Sequence, residues 1–296
     1  MKTENINHLF LDPVLSGEEV DHYHHLGISS DDDIVARMGG LRAIIMAGSG
    51  ERMDDFARQW SAEHGDAEII AFPKEERFTA RFTAGVLFCS HGMGMPSASI
   101  ALQELMRLAY FLKRGDLDAL DEIFWARVGT SGGVGLPGGT IVVTTEGLWP
   151  DLKPYRVLDG GKGPVWFDGT YPADIVDAIL AANAGNGIPI TSGRTVATNE
   201  FFLEQFRLDG AIRLASPERK MEWLDWLAEN GVRNIEMEGA LIAAYLNHWG
   251  FSRFAMVCTT LLNRLEGDQI TTPPEELQEF SDRSSVALFT YLRTVV

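Results

Sequence analysis

Apolar, β-branched runs recur along the chain, separated by stretches in which apolar residues return every three or four positions. That alternation predicts strands near residues 41–47, 67–72, 77–82, 85–90, 122–128, 140–145, 188–194, 232–237 and 254–262. It predicts helices near 51–64, 96–113, 173–184, 216–230, 238–249 and 274–294. In "PSASIALQELMRLAYFLKR", Pro96 and Ser97 suit a first turn, and Ile100, Leu105, Leu108 and Leu112 are expected to line one face. "SPERKMEWLDWLAENG" opens on a Ser216-Pro217 cap and stops at Gly231. Strands alternating with helices imply an α/β fold, a single domain with a central mixed β-sheet flanked by helices on both faces.

In such sheets ligands gather where strands run into loops. "LRAIIMAGSGERM", residues 41–53, passes from an apolar strand through Gly48 and Gly50 into a helix. A dinucleotide-binding turn would need a third glycine where Met53 stands. Arg52 instead puts a cation beside exposed backbone N–H groups, which suits one compact oxyanion, if the stretch is more than a turn. "SHGMGMPSASI", from Ser90, is a second glycine-rich turn into a helix, readable equally as a tight connection. "ARVGTSGGVG" sets Arg127 at a strand end before the Thr130-Ser131 pair. A buried arginine needs an anionic partner, a protein carboxylate or a bound anion, and the neighbouring hydroxyls and glycine amides favour the anion. In "NIEMEG", Glu236 and Glu238 would share one face of a strand, with Met237 on the other. Metal ligation would want further spaced His or Asp; a general acid/base pair stays open, and acceptors for the hydroxyls of a sugar fit better.

Composition narrows the partners. At 296 residues and 45% apolar content the chain can bury a large core, and no linker, repeat or low-complexity tract interrupts it. A net charge of −17, with runs such as Asp31-Asp32-Asp33 and Glu275-Glu276, repels nucleic acid and anionic membrane, so neither is expected as a partner. Against that field, arginines clustered beside glycine turns carry more meaning than they would in a basic protein. Cys89 and Cys258 both lie in apolar β-type runs, which predicts buried free thiols in a reducing compartment. A polar, acidic N-terminus and the lack of any apolar stretch of roughly 18–20 residues predict a cytoplasmic protein.

Taken in order, Gly48-Ser49-x-x-Arg52, Ser90-His91-Gly92-Met93-Gly94, Arg127-x-Gly129-Thr130-Ser131-Gly132-Gly133 and Glu236-Met237-Glu238 resemble the nucleoside phosphorylases of the trimer/hexamer class. "EQFRLDGA" and "LLNRLEGDQI", residues 261–270, resemble the eukaryotic branch of the uridine phosphorylase family within that class. The likeness runs from about residue 25 to the C-terminus, and it implies an N-terminal extension over 1–24 and a nucleoside phosphorylase domain over 25–296. The activity it implies is a pentosyltransferase of pyrimidine salvage: reversible phosphorolysis of uridine to uracil and ribose 1-phosphate.

By position, the resemblance implies that Gly48, Arg52, Arg127 and Thr130 hold phosphate in one subunit, while Arg77 reaches into a neighbour's phosphate site. Gln205 and Arg207 match the pair that reads the uracil edge, and Phe201 matches the aromatic on the base. Met237 and Glu238 match the ribose contacts. His25, with His24 as a near alternative, matches the histidine a neighbour offers to the 5′-hydroxyl. Catalysis then falls to Gln205, Arg207 and Arg127. Phosphate is a co-substrate, no cofactor or metal is implied, and the potassium-site glutamate of bacterial relatives falls at Phe78. Shared sites imply a homo-oligomer, at least a homodimer. Two departures stand out. Phe206 replaces a small or charged residue between Gln205 and Arg207 and is expected to alter the pocket entrance, and "EGLWPDLKPYRVLDGGKGPVWFDG" diverges without assigned contacts. A phosphorylase of another nucleoside stays open, although a purine enzyme of this class carries an aspartate where Asn263-Arg264 stands. So does a catalytically altered paralogue that binds nucleosides without turnover.

Overall fold

The structure is a computed structural model that describes residues 2–74 and 77–296. The chain divides into two compact units: residues up to 126 with 248–253 and Val296, and residues 127–247 with 254–295.

In the first unit a 3-10 turn at Lys2–Asn5 precedes α1 (His8–Ser16), β1 (His22–Tyr23), β2 (Ile28–Ser29) and α2 (Asp33–Ala36). There follow β3 (Ala43–Ala47), α3 (Gly50–Glu63), β4 (Ile70–Ala71), β5 (Ala80–Thr83), β6 (Val86–Ser90), α4 (Met95–Leu112) and α5 (Leu117–Asp121). β3 pairs with β6 in parallel, and β5 pairs antiparallel with both β6 and β4, which makes the sheet mixed. β3 and β6 are buried at every position, as their unbroken apolar runs dictate for strands covered on both faces. α3 begins where Ser49 Oγ accepts the N–H of Arg52, so the Gly48-Ser49 turn sits at a helix N-terminus. On α4 the buried stripe is Ala101, Leu102, Leu105, Leu108 and Ala109. Ile100, expected on that face, is exposed; one residue earlier than Ala101, it is turned about 100° away around the helix.

The second unit takes in most of β7 (Phe124–Gly133), then β8 (Ile141–Leu148), β9 (Tyr155–Leu158), β10 (Pro164–Phe167), α6 (Ala173–Ala182) and β11 (Ile190–Ala197). It continues with α7 (Pro217–Glu229), β12 (Val232–Glu236), α8 (Gly239–Trp249), β13 (Phe254–Asn263) and α9 (Pro274–Val295). The strand order is β12-β11-β8-β13-β7, and β7 pairs back onto β12 through Gly133 with Asn234 and Gly132 with Ile235. These five strands therefore close on themselves, with β8, β11 and β12 parallel and β13 antiparallel to β8. A chain of buried hydroxyls and an amide ties the ring: Thr144 to Thr195 at 2.7 Å, Thr195 to Asn234 at 2.7 Å, and Asn234 to Ser131 at 2.9 Å. α7 covers one side by packing Trp223, Leu224 and Leu227 against Val134, Val196, Val232 and Ile235. Among the described residues no helix is long and apolar enough to cross a membrane.

Candidate active site

Arg127 lies on β7 with 5% of its surface exposed. Its Nη2 donates to Glu238 Oε2, its Nη1 lies 3.3 Å from Glu236 Oε2, and Nη1 also donates to Cys258 Sγ at 2.8 Å. The counter-charge is thus a pair of protein carboxylates, where the sequence pointed to a bound anion. The pairing of β7 with β12 carries the "NIEMEG" turn to Arg127. Burial opposes the guanidinium's charge, but the Glu238 and Glu236 carboxylates outweigh it and hold Arg127 above its ordinary range. Arg127 Nε–H, also buried, has no acceptor among the described residues. Gly129 makes room for this arrangement, since a Cβ there would come within 2.6 Å of Arg127 Nη1. Thr130 follows, half-buried.

Glu236 ends β12, so Glu238 stands in the turn beyond it rather than on the same strand face. The carboxylate of Glu236 accepts the N–H groups of Glu238 at 2.8 Å and Gly239 at 2.9 Å, capping α8. Tyr171 O–H donates to Gly239 O at 2.8 Å from the other side. Burial pushes the Glu236 carboxyl up to about 7, with Arg127 opposing. Met237 is half-buried between the two acids.

The second cluster forms around Gln205, which is buried. Its Nε2 donates to Thr198 Oγ1 at 2.9 Å, and its Oε1 accepts from Arg264 Nη1 at 3.2 Å. One amide N–H and one lone pair of Gln205 are left over. Arg207 forks onto Asp209, at 3.0 and 2.7 Å, donates to Asp268 O at 2.9 Å, and lies 4.4 Å from the centre of the Phe201 ring. Phe201 is itself 39% exposed. Phe206 turns elsewhere. Its ring centre is 5.0 Å from that of Trp223, and with Trp149 and Trp226 it lines a separate cleft of about 620 Å³. None of the residues assigned to nucleoside or phosphate lines that cleft. The Phe206 side chain thus packs on Trp223.

In the first unit Gly48 and Gly92 bring the two glycine turns together, for a Cβ on Gly48 would lie 3.2 Å from Gly92 O. Arg52 is half-buried on the first turn of α3. Arg77 is exposed and makes no ion pair among the described residues; Glu75 and Glu76 beside it lie outside them. His25 Nδ1 is 2.7 Å from Glu104 Oε1, and Glu104 also accepts the N–H groups of His25 and Leu26. His24 is exposed. A buried carboxylate on α4 therefore orients His25, and not its neighbour.

The profile of the phosphorylase superfamily matches residues 42–296. Uridine phosphorylase A of Schistosoma mansoni is 33% identical over 288 residues, spanning 94% of this chain and 94% of that protein. The chain belongs to the uridine phosphorylase family. Inactive uridine phosphorylase B of the same organism is 31% identical, again with 94% of each chain covered. The crystal structure of uridine phosphorylase from S. mansoni in complex with uracil is 33% identical, covers 95% of this chain and 96% of that one, and superposes with a TM-score of 0.85. The α/β class with a mixed sheet, expected from the alternation of strands and helices, is that of the family. Within this frame the structure adds Thr198, Lys220, Arg264, Asp268 and Glu104 to the candidate residues. "LLNRLEGDQI" had pointed to a subfamily without assigning a task to Arg264 or Asp268. Lys220 and Glu104 sit in amphipathic helices, where a charged residue reads as solvated. No group of three or more His, Cys, Asp or Glu placed to hold a metal occurs among the described residues.

Proposed function

We propose that the chain catalyses the reversible phosphorolysis of uridine to uracil and ribose 1-phosphate. The observation that carries this is the Gln205–Arg207 pair, braced by buried hydrogen bonds, in a chain of this family. Uracil leaves with the C1′–N1 electron pair, so negative charge grows on its imide edge while the sugar becomes cationic. The spare N–H and lone pair of Gln205 suit that edge, and Arg207 is a permanent cation beside it. Well-placed donors of this kind are worth about 3–4 kcal/mol each in the transition state.

Phosphate is assigned to Gly48, Arg52, Arg127 and Thr130, with Arg77 supplied by a neighbouring subunit. The buried Nε–H of Arg127, without an acceptor among the described residues, and the helix N-terminus at Gly48-Ser49 support that assignment. The anion first offsets the sugar's charge, and one of its oxygens then forms the new bond to C1′. Holding the two reactants in place contributes several kcal/mol. Glu238 and Met237 are assigned to the ribose, Phe201 to the base, and a neighbour's His25 to the 5′-hydroxyl. The reading needs a homo-oligomer, takes phosphate as co-substrate, invokes no cofactor and places the enzyme in the cytoplasm.

A panel of nucleosides, assayed by absorbance with and without phosphate, tests it. Cleavage of uridine only when phosphate is present is the expected result. Uridine binding without turnover would instead make the chain a silent paralogue, and identity does not separate the two, since uridine phosphorylase A and inactive uridine phosphorylase B of S. mansoni match almost equally.

A further inference from the structure

We propose that Asp268 is the positioning residue of the uracil-reading pair, holding Gln205 and Arg207 at a fixed spacing through three separate attachments. The proposal rests on the uridine reading above. Asp268 is buried, and every oxygen it owns is engaged. Oδ1 accepts from Lys220 Nζ at 2.8 Å and Arg264 Nε at 3.0 Å, Oδ2 accepts the N–H of Leu208 at 2.9 Å, and its carbonyl accepts from Arg207 Nη2 at 2.9 Å. Arg264 then reaches Gln205 twice, at Oε1 and at the backbone carbonyl, 3.2 and 2.8 Å away. Asp268 therefore secures residue 205 through Arg264, residue 208 at its backbone, and residue 207 at its side chain.

The segment needs such ties. No helix or strand lies between Ala197 and Pro217, and Phe206 holds a left-handed backbone, φ 50°, that a residue with a side chain rarely adopts. Regular backbone hydrogen bonding cannot set the spacing of two side chains on a loop of this kind. Two cations converge on one carboxylate, and both are buried: Lys220 is 5% exposed and Arg264 is 1% exposed. Burial alone would push the Asp268 carboxyl up; the N–H of Leu208, Lys220 and Arg264 outweigh it and hold the carboxyl below its ordinary range. An uncharged residue here would free Arg264 from its anchor while leaving its other contacts nominally intact.

The test is Asp268→Asn in the full-length enzyme, with steady-state kinetics in uridine and in phosphate separately. The expected result is a rise of about tenfold or more in the uridine KM with a lower kcat, as misplacement of a binding group produces. The phosphate KM should stay within about twofold, because its assigned ligands do not touch Asp268. A purely structural role would change both constants alike or neither, and either result overturns the proposal. Should stranded cations unfold the single variant, Asp268→Asn combined with Lys220→Met removes one of them. That double variant should regain stability without regaining the wild-type uridine KM, and recovery of both would likewise overturn the assignment. An inactive wild type would remove the uridine reading and this proposal with it, whereas an active wild type with an unaffected Asp268→Asn removes the proposal alone.

Discussion

Arg127 sets the electrostatics of its cluster by facing two carboxylates with one fixed charge. A proton on one of them relieves the imbalance, and burial places it on Glu236, whose carboxyl is raised to about 7 from an ordinary 4.5. A raised folded value means that the native state holds this proton more tightly than the unfolded chain does. The resulting stability is fully present below 4.5 and is lost as pH rises through about 7. Glu236→Gln cannot titrate. Urea unfolding across that window should therefore show wild type losing stability relative to Glu236→Gln as pH rises. The variant's lost acceptor for one N–H of α8 is a constant offset and does not touch the slope. The opposite slope would mean that Arg127 keeps Glu236 ionised throughout. A second prediction belongs to Gln205. Gln205→Leu leaves the uracil edge unpaired and should remove most uridine cleavage, since sites built to hydrogen-bond a group discriminate by factors of about 10⁴–10⁵. Near-normal kcat/KM for uridine would overturn its role.

At the scale of elements, the closed ring of the second unit depends on the Thr144–Thr195–Asn234–Ser131 chain as well as on backbone pairing. Thr195 bonds to partners on β8 and on β12, so Thr195→Val, nearly equal in shape, strands buried polar atoms on both sides. A loss of about 1–3 kcal/mol in unfolding free energy is expected, and an unchanged urea midpoint would show the chain to be dispensable. How these strands close was not written in the periodicity. Apolar runs marked β3, β6 and the first halves of β8 and β13, and glycine turns marked where β3 and β6 end. The return of β7 to β12 is a pairing between residues about a hundred apart in sequence, so the carboxylate partners of Arg127 stayed hidden although all three residues had been singled out. Distance hid Glu104 and Arg264 in the same way, 79 and 59 positions from the residues they hold. α1 escaped because it is short and contains Pro13, and the β9–β10 hairpin because it lies in the divergent segment with exposed Leu158, Val165 and Trp166. Resemblance marks Phe206 as a departure at the pocket entrance, because relatives carry a small or charged residue there; its left-handed backbone and its packing on Trp223 are not visible in the sequence.

For the whole molecule the question is whether one chain suffices. Arg77 is an exposed arginine without an ion-pair partner among the described residues, on a protein whose net charge is −17. Glu104 holds the His25 ring by Nδ1, which leaves Nε2 for another group. Both observations fit side chains reserved for a neighbouring subunit, and a lone chain would then lack a phosphate cation and a ribose contact. Complementation tests this. If the sites are shared, Arg77→Ala damages the neighbour's site, whereas Gln205→Leu damages its own. Arg127→Ala is the poorer choice for the second variant, because it leaves Glu236 and Glu238 buried without their counter-charge. Each homo-oligomer should be nearly inactive, since every site carries one defect. A mixed pair holds one site with both defects and one with neither, so co-refolding should restore about a quarter of wild-type activity if exchange is random and sites are independent. If Arg77 were an ordinary surface charge, worth little, Arg77→Ala would be active by itself and mixing would add nothing. Two inactive variants that demonstrably exchange subunits and still recover no activity would show that the sites are not shared.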